Sequence, residues 1–201
     1  LYFAILLRKR LPSAQIDIFE QNKADDTFGW GVVFSDETLG NFEEADPESY
    51  RRIREHFAYW TDIDTFYGGK KVTSSGHGFC GLARKQLLLL LQDRCRELGV
   101  RMHFEHTIES TDELAANYDL VVAADGVNSA VREHYKESFK PSLDWRKCKF
   151  AWFGTTKKMT AFTFVFKETE WGLFQVHAYP FEDGRGTWIV ECREETWRKA
   201  G

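Results

Sequence analysis

The hydrophobic period of this chain changes once, near Phe150, and that change constrains the fold more than any single motif. Before it, helical stripes alternate with short apolar runs. Beyond it, the stretch "FAWFGTTKKMTAFTFVFKETEWGLFQVHAYPFEDGRGTWIVECREE" alternates with period two. Phe162, Phe164 and Phe166 fall on one face and Thr163 and Val165 on the other, with turns near Thr169 to Gly172 and Asp183 to Gly186. The pattern predicts an α/β protein: a Rossmann-like unit with a parallel sheet over residues 1–148, then an antiparallel sheet over 149–201. A hairpin near 62–75 is a candidate to join that second sheet. The aromatic face is either plain core or the wall against which a planar aromatic ligand is enclosed.

The first half reads as half of a nucleotide-binding unit. "LYFAILLRKRLP" is an amphipathic helix already under way at Leu1 and stopped by Pro12, and "AQIDIFEQN" is a short strand ending at Glu20. Helix, tight link, strand and terminal acid form the second half of a βαβ unit. The acid there bonds a ribose hydroxyl and lies about 20 residues beyond a glycine-rich loop. The spacing predicts a strand and a Gly-x-Gly-x-x-Gly before Leu1, in a longer protein of which this chain is a piece. Glu20 as an ordinary solvated acid is the competing reading.

Residues 27–42, "TFGWGVVFSDETLGNF", are glycine-punctuated and predict a loop with a short extended core, not a helix. A helix is predicted from Asp46, with Pro47 in its first turn and Tyr50, Ile53, Phe57 and Trp60 on one face. Two extended runs about Gly68-Gly69 signal a hairpin. Leu87, Leu91, Cys95 and Leu98 then make a helical stripe closed by Gly99. Arg84 stands in the first turn of that helix, where a cation opposes the macrodipole and calls for an anionic partner or solvent. "VRMHFEH" alternates as a strand.

"LVVAADGVNSAVRE", residues 120–133, predicts a strand buried on both faces and ending at Asp125-Gly126. Open parallel sheets bind ligands at the carboxyl ends of their strands. There Asp125 would offer a carboxylate, Gly126 would admit close backbone approach, and Asn128 or Ser129 would cap the next helix. A plain strand-turn-helix link with a capping Asp fits the same residues.

Composition removes several classes. A net charge of -4, from 27 basic and 31 acidic residues spread along the chain, offers no basic face for nucleic acid. The longest leucine run, Leu87 to Leu91, is far short of the roughly 20 residues of a membrane span. Cys80, Cys95, Cys148 and Cys192 have neither zinc-site spacing nor disulfide-scaffold density, so reduced thiols in a cytoplasmic protein without a bound metal are expected.

Taken in order, "IDIFEQN", "GHGFCGLARKQLLLLLQ" and "LVVAADGVNSAVRE" resemble the landmarks of the single-component flavoprotein aromatic hydroxylases with the p-hydroxybenzoate hydroxylase fold. The resemblance runs the length of the chain. "DDTFGWGVVFSD", "DPESYRRIREHFAYWTDID" and "GLFQVHAYPF" are similar more narrowly to the salicylyl-CoA 5-hydroxylases and to the monooxygenase half of the 2-aminobenzoyl-CoA monooxygenase/reductases. The resemblance implies FAD as cofactor, NAD(P)H as reductant, O2 as co-substrate and an aromatic ring carried as a CoA thioester. It implies that residues 1–148 bind FAD and 149–201 the substrate. Glu20 would bind the adenosine ribose and Arg84 the pyrophosphate side. Asp125 and Gly126 would lie between FAD and NAD(P)H, with Arg132 as a supporting cation. A Gly-Asp segment holding the ribityl chain would fall beyond Gly201. A homodimer and a fused reductase domain are further associations that the resemblance admits.

His77, between Gly76 and Gly78, and His177, in an alternating strand, are the candidates for acid-base catalysis, each with a structural role as the alternative. Trp30 and Phe34 are candidates for approach to the flavin ring, again against plain packing. Two rival readings stand beside the leading one. "GWGVV" also resembles monooxygenases of tryptophan-derived pigments, and a fragment that binds no flavin would be non-catalytic.

Overall fold

The computed structural model describes residues 1–201. The first helix, α1 (Tyr2–Arg10), leads to β1 (Asp17–Phe19), which pairs in parallel with β7 (Arg101–His103). Between them run β2 (Gly31–Ser35), α2 (Asp36–Ala45), α3 (Pro47–Arg54), β3 (Ala58–Trp60), β4 (Ile63–Tyr67), β5 (Lys70–Ser74), β6 (Phe79–Ala83) and α4 (Arg84–Glu97). Three short helices follow: α5 (Thr111–Asn117), α6 (Ala130–His134) and α7 (Lys136–Phe139). The chain then enters β8 (Cys148–Thr155), β9 (Phe162–Thr169), β10 (Gly172–Glu182) and β11 (Arg185–Arg193), and finishes in α8 (Glu194–Ala200).

The long antiparallel sheet forms where the period-two pattern predicts it, and it extends further than the pattern does. Its order is β5-β4-β9-β10-β11-β8, so the Gly68-Gly69 hairpin supplies two of its six strands. Both glycines take positive φ, 56° and 75°, as a tight hairpin turn requires. The junction of β4 with β9 is parallel, so the sheet is mixed rather than purely antiparallel. A separate three-stranded sheet, β2-β6-β3, lies against β10.

Two apolar clusters hold the first half together. Ala4, Ile5, Leu91, Cys95 and Val100 join α1 and α4 beside the β1-β7 pair, and Leu87 and Leu98 pack on them. The predicted stripe on α4 is therefore the buried one. Leu39, Ile53, Cys80 and Leu82 form the second cluster beneath the three-stranded sheet. An aromatic seam links that sheet to the larger one. Trp60 stacks on Tyr179 at 6.5 Å, and Phe162 meets both rings edge-on at 6.4 Å and 5.5 Å.

Three local expectations are corrected. Residues 36–45 are helical, because Ser35 caps them by accepting from the Thr38 N–H, with Asp36 and Glu37 in the first turn. The Asp46 helix ends at Arg54, and Trp60 belongs to β3, where pairing with β6 overrides the helical spacing. Residues 120–124 form no strand: Leu120 and Val122 are exposed, and nothing pairs with their backbone. A parallel strand is stable only between partners, and β1 has β7 as its single neighbour. No helix is long and apolar enough to cross a membrane.

Candidate functional site

Glu20 sits at the end of β1. Its N–H donates to the His103 carbonyl (2.9 Å) and its carbonyl accepts from the His106 N–H (2.9 Å), so the strand end is fixed. Both the backbone N–H and the side-chain amide of Asn22 donate to Oε1, at 2.8 Å and 2.7 Å. Oε2 takes no bond from the chain, which leaves one oriented acceptor.

Arg84 opens α4, where its backbone N–H donates to the Trp30 carbonyl at 2.8 Å. Ala83, the residue before it, gives no side-chain cap, and the exposed Arg84 guanidinium has no acidic partner. The helix thus presents free N–H groups and a free cation together, a donor set suited to a phosphate-bearing ligand.

Asp125 and Gly126 line an open concavity of about 280 Å³ together with Ser129, Arg132 and Phe139. Asp125 is occupied locally. A hydrogen bond from the Ser129 hydroxyl, opposed by partial burial and aided by the Val131 N–H, holds its carboxyl below the usual carboxylate range. Ser129 caps α6 by accepting from the Arg132 N–H at 2.9 Å, as one of the two predicted capping residues. Gly126 takes φ +83°, with nothing within 4 Å of the place a Cβ would occupy, so the backbone there is open to close approach. The Arg132 guanidinium bonds the Val127 carbonyl instead of projecting freely. No hydrogen bond or ion pair joins Glu20, Arg84 and Asp125 to one another.

The histidines differ in setting. His77 shares a hydrogen bond of 2.8 Å with the Ser74 hydroxyl in an exposed turn, while its backbone N–H donates to the Thr61 carbonyl (2.9 Å). His177 lies half-buried on the aromatic face of the large sheet, opposite Phe164 on β9 and Ile189 on β11. Trp30 packs on Gly154, where a Cβ would come within 2.8 Å of the indole, and Trp152 packs on Gly29 in the same way. These indoles dock the 27–31 loop onto β8. Phe34 packs edge-on against Phe42 at 5.6 Å in the core beneath the three-stranded sheet.

Two residues on the aromatic face escaped the sequence reading. Gln175 donates to Glu191 Oε2 at 2.6 Å across the β10-β11 pair, beside His177. Only strand register brings residues 16 positions apart together in this way, and no spacing motif announces it.

No family model matches the sequence. The whole chain is 41% identical to a salicyloyl-CoA 5-hydroxylase from a Streptomyces species, of which it covers 39%. It is 34% identical to the protodeoxyviolaceinate monooxygenase of Chromobacterium violaceum, covering 54% of that protein. Solved structures agree at lower identity. A tetrameric 2-methyl-3-hydroxypyridine-5-carboxylic acid oxygenase superposes with a TM-score of 0.70 at 17% identity, over 94% of this chain and 54% of that one. PqsL of Pseudomonas aeruginosa, a probable FAD-dependent monooxygenase, gives 0.69 at 15%, over 98% and 58%. The chain carries the fold of the FAD-dependent aromatic hydroxylases. It spans roughly 40 to 55% of the length of the curated hydroxylase relatives it matches. FAD is the cofactor this hydroxylase fold implies, and the unpartnered Glu20 Oε2, the free Arg84 cation and the open backbone at Gly126 are chemically suited to it.

Proposed function

We propose that the protein is an FAD-dependent monooxygenase that hydroxylates the aromatic ring of a benzoate held as its CoA thioester, at the expense of NAD(P)H and O2. The observation that carries this reading is the 41% identity to a salicyloyl-CoA 5-hydroxylase along the entire chain. When bound, FAD supplies the activation of O2 and its transfer to an electron-rich ring. The chain's own residues bind, orient and shield. Glu20 Oε2 would accept from a ribose hydroxyl, and Arg84 with the amino end of α4 would neutralise the diphosphate. Gly126 would let the cofactor and reductant approach the backbone, and Asp125 fixes the turn that presents it. Residues 1–148 hold the cofactor. Residues 149–201, with the β4-β5 hairpin, form the sheet whose aromatic face holds the ring and keeps water from it.

A second reading, hydroxylation of an indole-derived substrate, rests on the 34% identity to protodeoxyviolaceinate monooxygenase. One experiment separates the readings: purify the protein from its complete reading frame, record the flavin spectrum, and follow NAD(P)H oxidation with salicyloyl-CoA, 2-aminobenzoyl-CoA and an indole carboxylate. Bound flavin and turnover with an aromatic thioester support the proposal. Absence of flavin sinks both readings, and turnover with the indole alone selects the second. Arg84→Ala should weaken FAD retention about ten- to a hundredfold, the worth of a charge-assisted contact.

A further inference from the structure

The aromatic face of the large sheet carries one polar cluster that the cofactor side does not explain. Gln175 and His177 on β10 and Glu191 on β11 share that face. Phe166 stands opposite Gln175, Phe164 opposite His177, and Phe150 opposite Glu191. Phe164 also stacks on Phe162 at 4.8 Å, which extends the wall toward the seam with Trp60 and Tyr179. Polar groups set into an aromatic wall orient a ligand, while the wall supplies the apolar contact.

The two oxygens of Glu191 are used unequally. Oε2 is held by Gln175 at 2.6 Å. Oε1 has no hydrogen-bond partner and lies 4.0 Å from His177 Nδ1, too far for a direct bond. The side chains of His177 and Glu191 are 27% and 30% exposed, so the gap between them is open to a ligand. A single oxygen at ~2.8 Å from both atoms would see them at roughly a right angle, an acceptable geometry for one hydroxyl that donates to one and accepts from the other.

Resting on the aromatic hydroxylase reading above, we propose that His177 and Glu191 form the specificity clamp for a phenolic ring hydroxyl. The hydroxyl donates to Glu191 Oε1 and accepts from the Nδ1–H of His177, and Gln175 holds the carboxylate in place. An unsubstituted ring satisfies neither group. The clamp therefore selects rings that carry a hydroxyl over bare ones. A site built to hydrogen-bond a substrate hydroxyl rejects the analogue lacking it, because its polar groups are left unpaired.

Equilibrium titration of the flavin-loaded protein with salicyloyl-CoA and benzoyl-CoA tests this without turnover. Wild-type protein should bind salicyloyl-CoA about ten- to a hundredfold more tightly than benzoyl-CoA. Glu191→Ala should remove that preference, by weakening salicyloyl-CoA and not benzoyl-CoA. His177→Phe, which keeps an aromatic ring beside Phe164, should reduce the preference in the same direction and serves should the first variant not fold. A preference retained in a folded variant overturns the clamp alone, as does an equal loss for both ligands. A wild-type protein that binds neither thioester overturns the functional reading together with the clamp.

Discussion

Asp46 and Arg94 face each other in a two-point ion pair, Nε to Oδ2 and Nη2 to Oδ1, each at 3.0 Å. The Asp46 side chain is almost fully buried. It also accepts from the Lys9 ammonium (2.8 Å) and caps α3 through the Ser49 N–H and hydroxyl, at 3.2 Å and 2.6 Å. Burial pushes this carboxyl up, but hydrogen bonds from Arg94, Lys9 and Ser49 outweigh it and hold the group well below the usual carboxylate range. One acid thus ties α1, α3 and α4 together, and α4 is the helix that presents Arg84.

Removing that charge leaves Arg94 and Lys9 facing a neutral group. Asp46→Asn should cost about 3 to 5 kcal/mol, as for other broken buried ion pairs, seen as a lower urea midpoint at unchanged slope. A loss below about 1 kcal/mol would mean that solvent already screens the pair.

Asp17 makes the corresponding tie between β1 and β7. Hydrogen bonds from Arg101 lower its pKa to about 2, with burial opposing and His103 and Tyr118 assisting. A carboxyl whose folded pKa is depressed stabilises the fold above its unfolded value, near 4, and loses that contribution as pH falls toward 2. Wild-type stability should therefore decline through that window. Asp17→Asn should be less stable at neutral pH and show a flatter profile between about pH 4 and pH 2, read from thermal melts across the range. Parallel profiles for the two proteins would assign the acid sensitivity elsewhere.

Gly81 lets β6 approach β10. A Cβ there would fall 2.0 Å from the Pro180 carbonyl oxygen, a backbone atom that cannot swing aside. Gly81→Ala should cost about 2 kcal/mol or more by forcing the two sheets apart. Gly40, exposed on α2 with nothing within 4 Å, should give the opposite sign, with Gly40→Ala stabilising by about 0.5 to 1 kcal/mol. Denaturant unfolding of the pair separates steric contact from helix propensity.

Asp125→Asn keeps a side-chain oxygen for the Val131 N–H and should leave the melting temperature nearly unchanged, since Asn caps almost as well as Asp. If the carboxylate also serves the reductant site, flavin reduction by NAD(P)H in the loaded protein should slow, which stopped-flow absorbance reads directly. Normal reduction in a stable variant would leave Asp125 as a capping acid.

The sequence by itself determined the elements whose signal is local. The period-two pattern places β9, β10 and β11, Gly68-Gly69 places the hairpin, and the Leu87-Leu91-Cys95 stripe with Gly99 defines α4 and its buried face. Each rests on side-chain period or on a backbone conformation that glycine alone takes readily, and both are written residue by residue. Tertiary structure decided the rest. Trp60 obeys helical spacing yet lies in β3, because pairing with β6 and stacking on Tyr179 outweigh a weak helical preference. Residues 120–124 have the composition of a buried strand and form none, because a strand exists only through a partner's hydrogen bonds. Gln175, His177 and Glu191 meet only through the register of β10 on β11, and Asp46 meets Arg94 only when α3 packs on α4. Contacts of that kind depend on where distant segments lie in space, and a periodicity read along the chain carries no record of it.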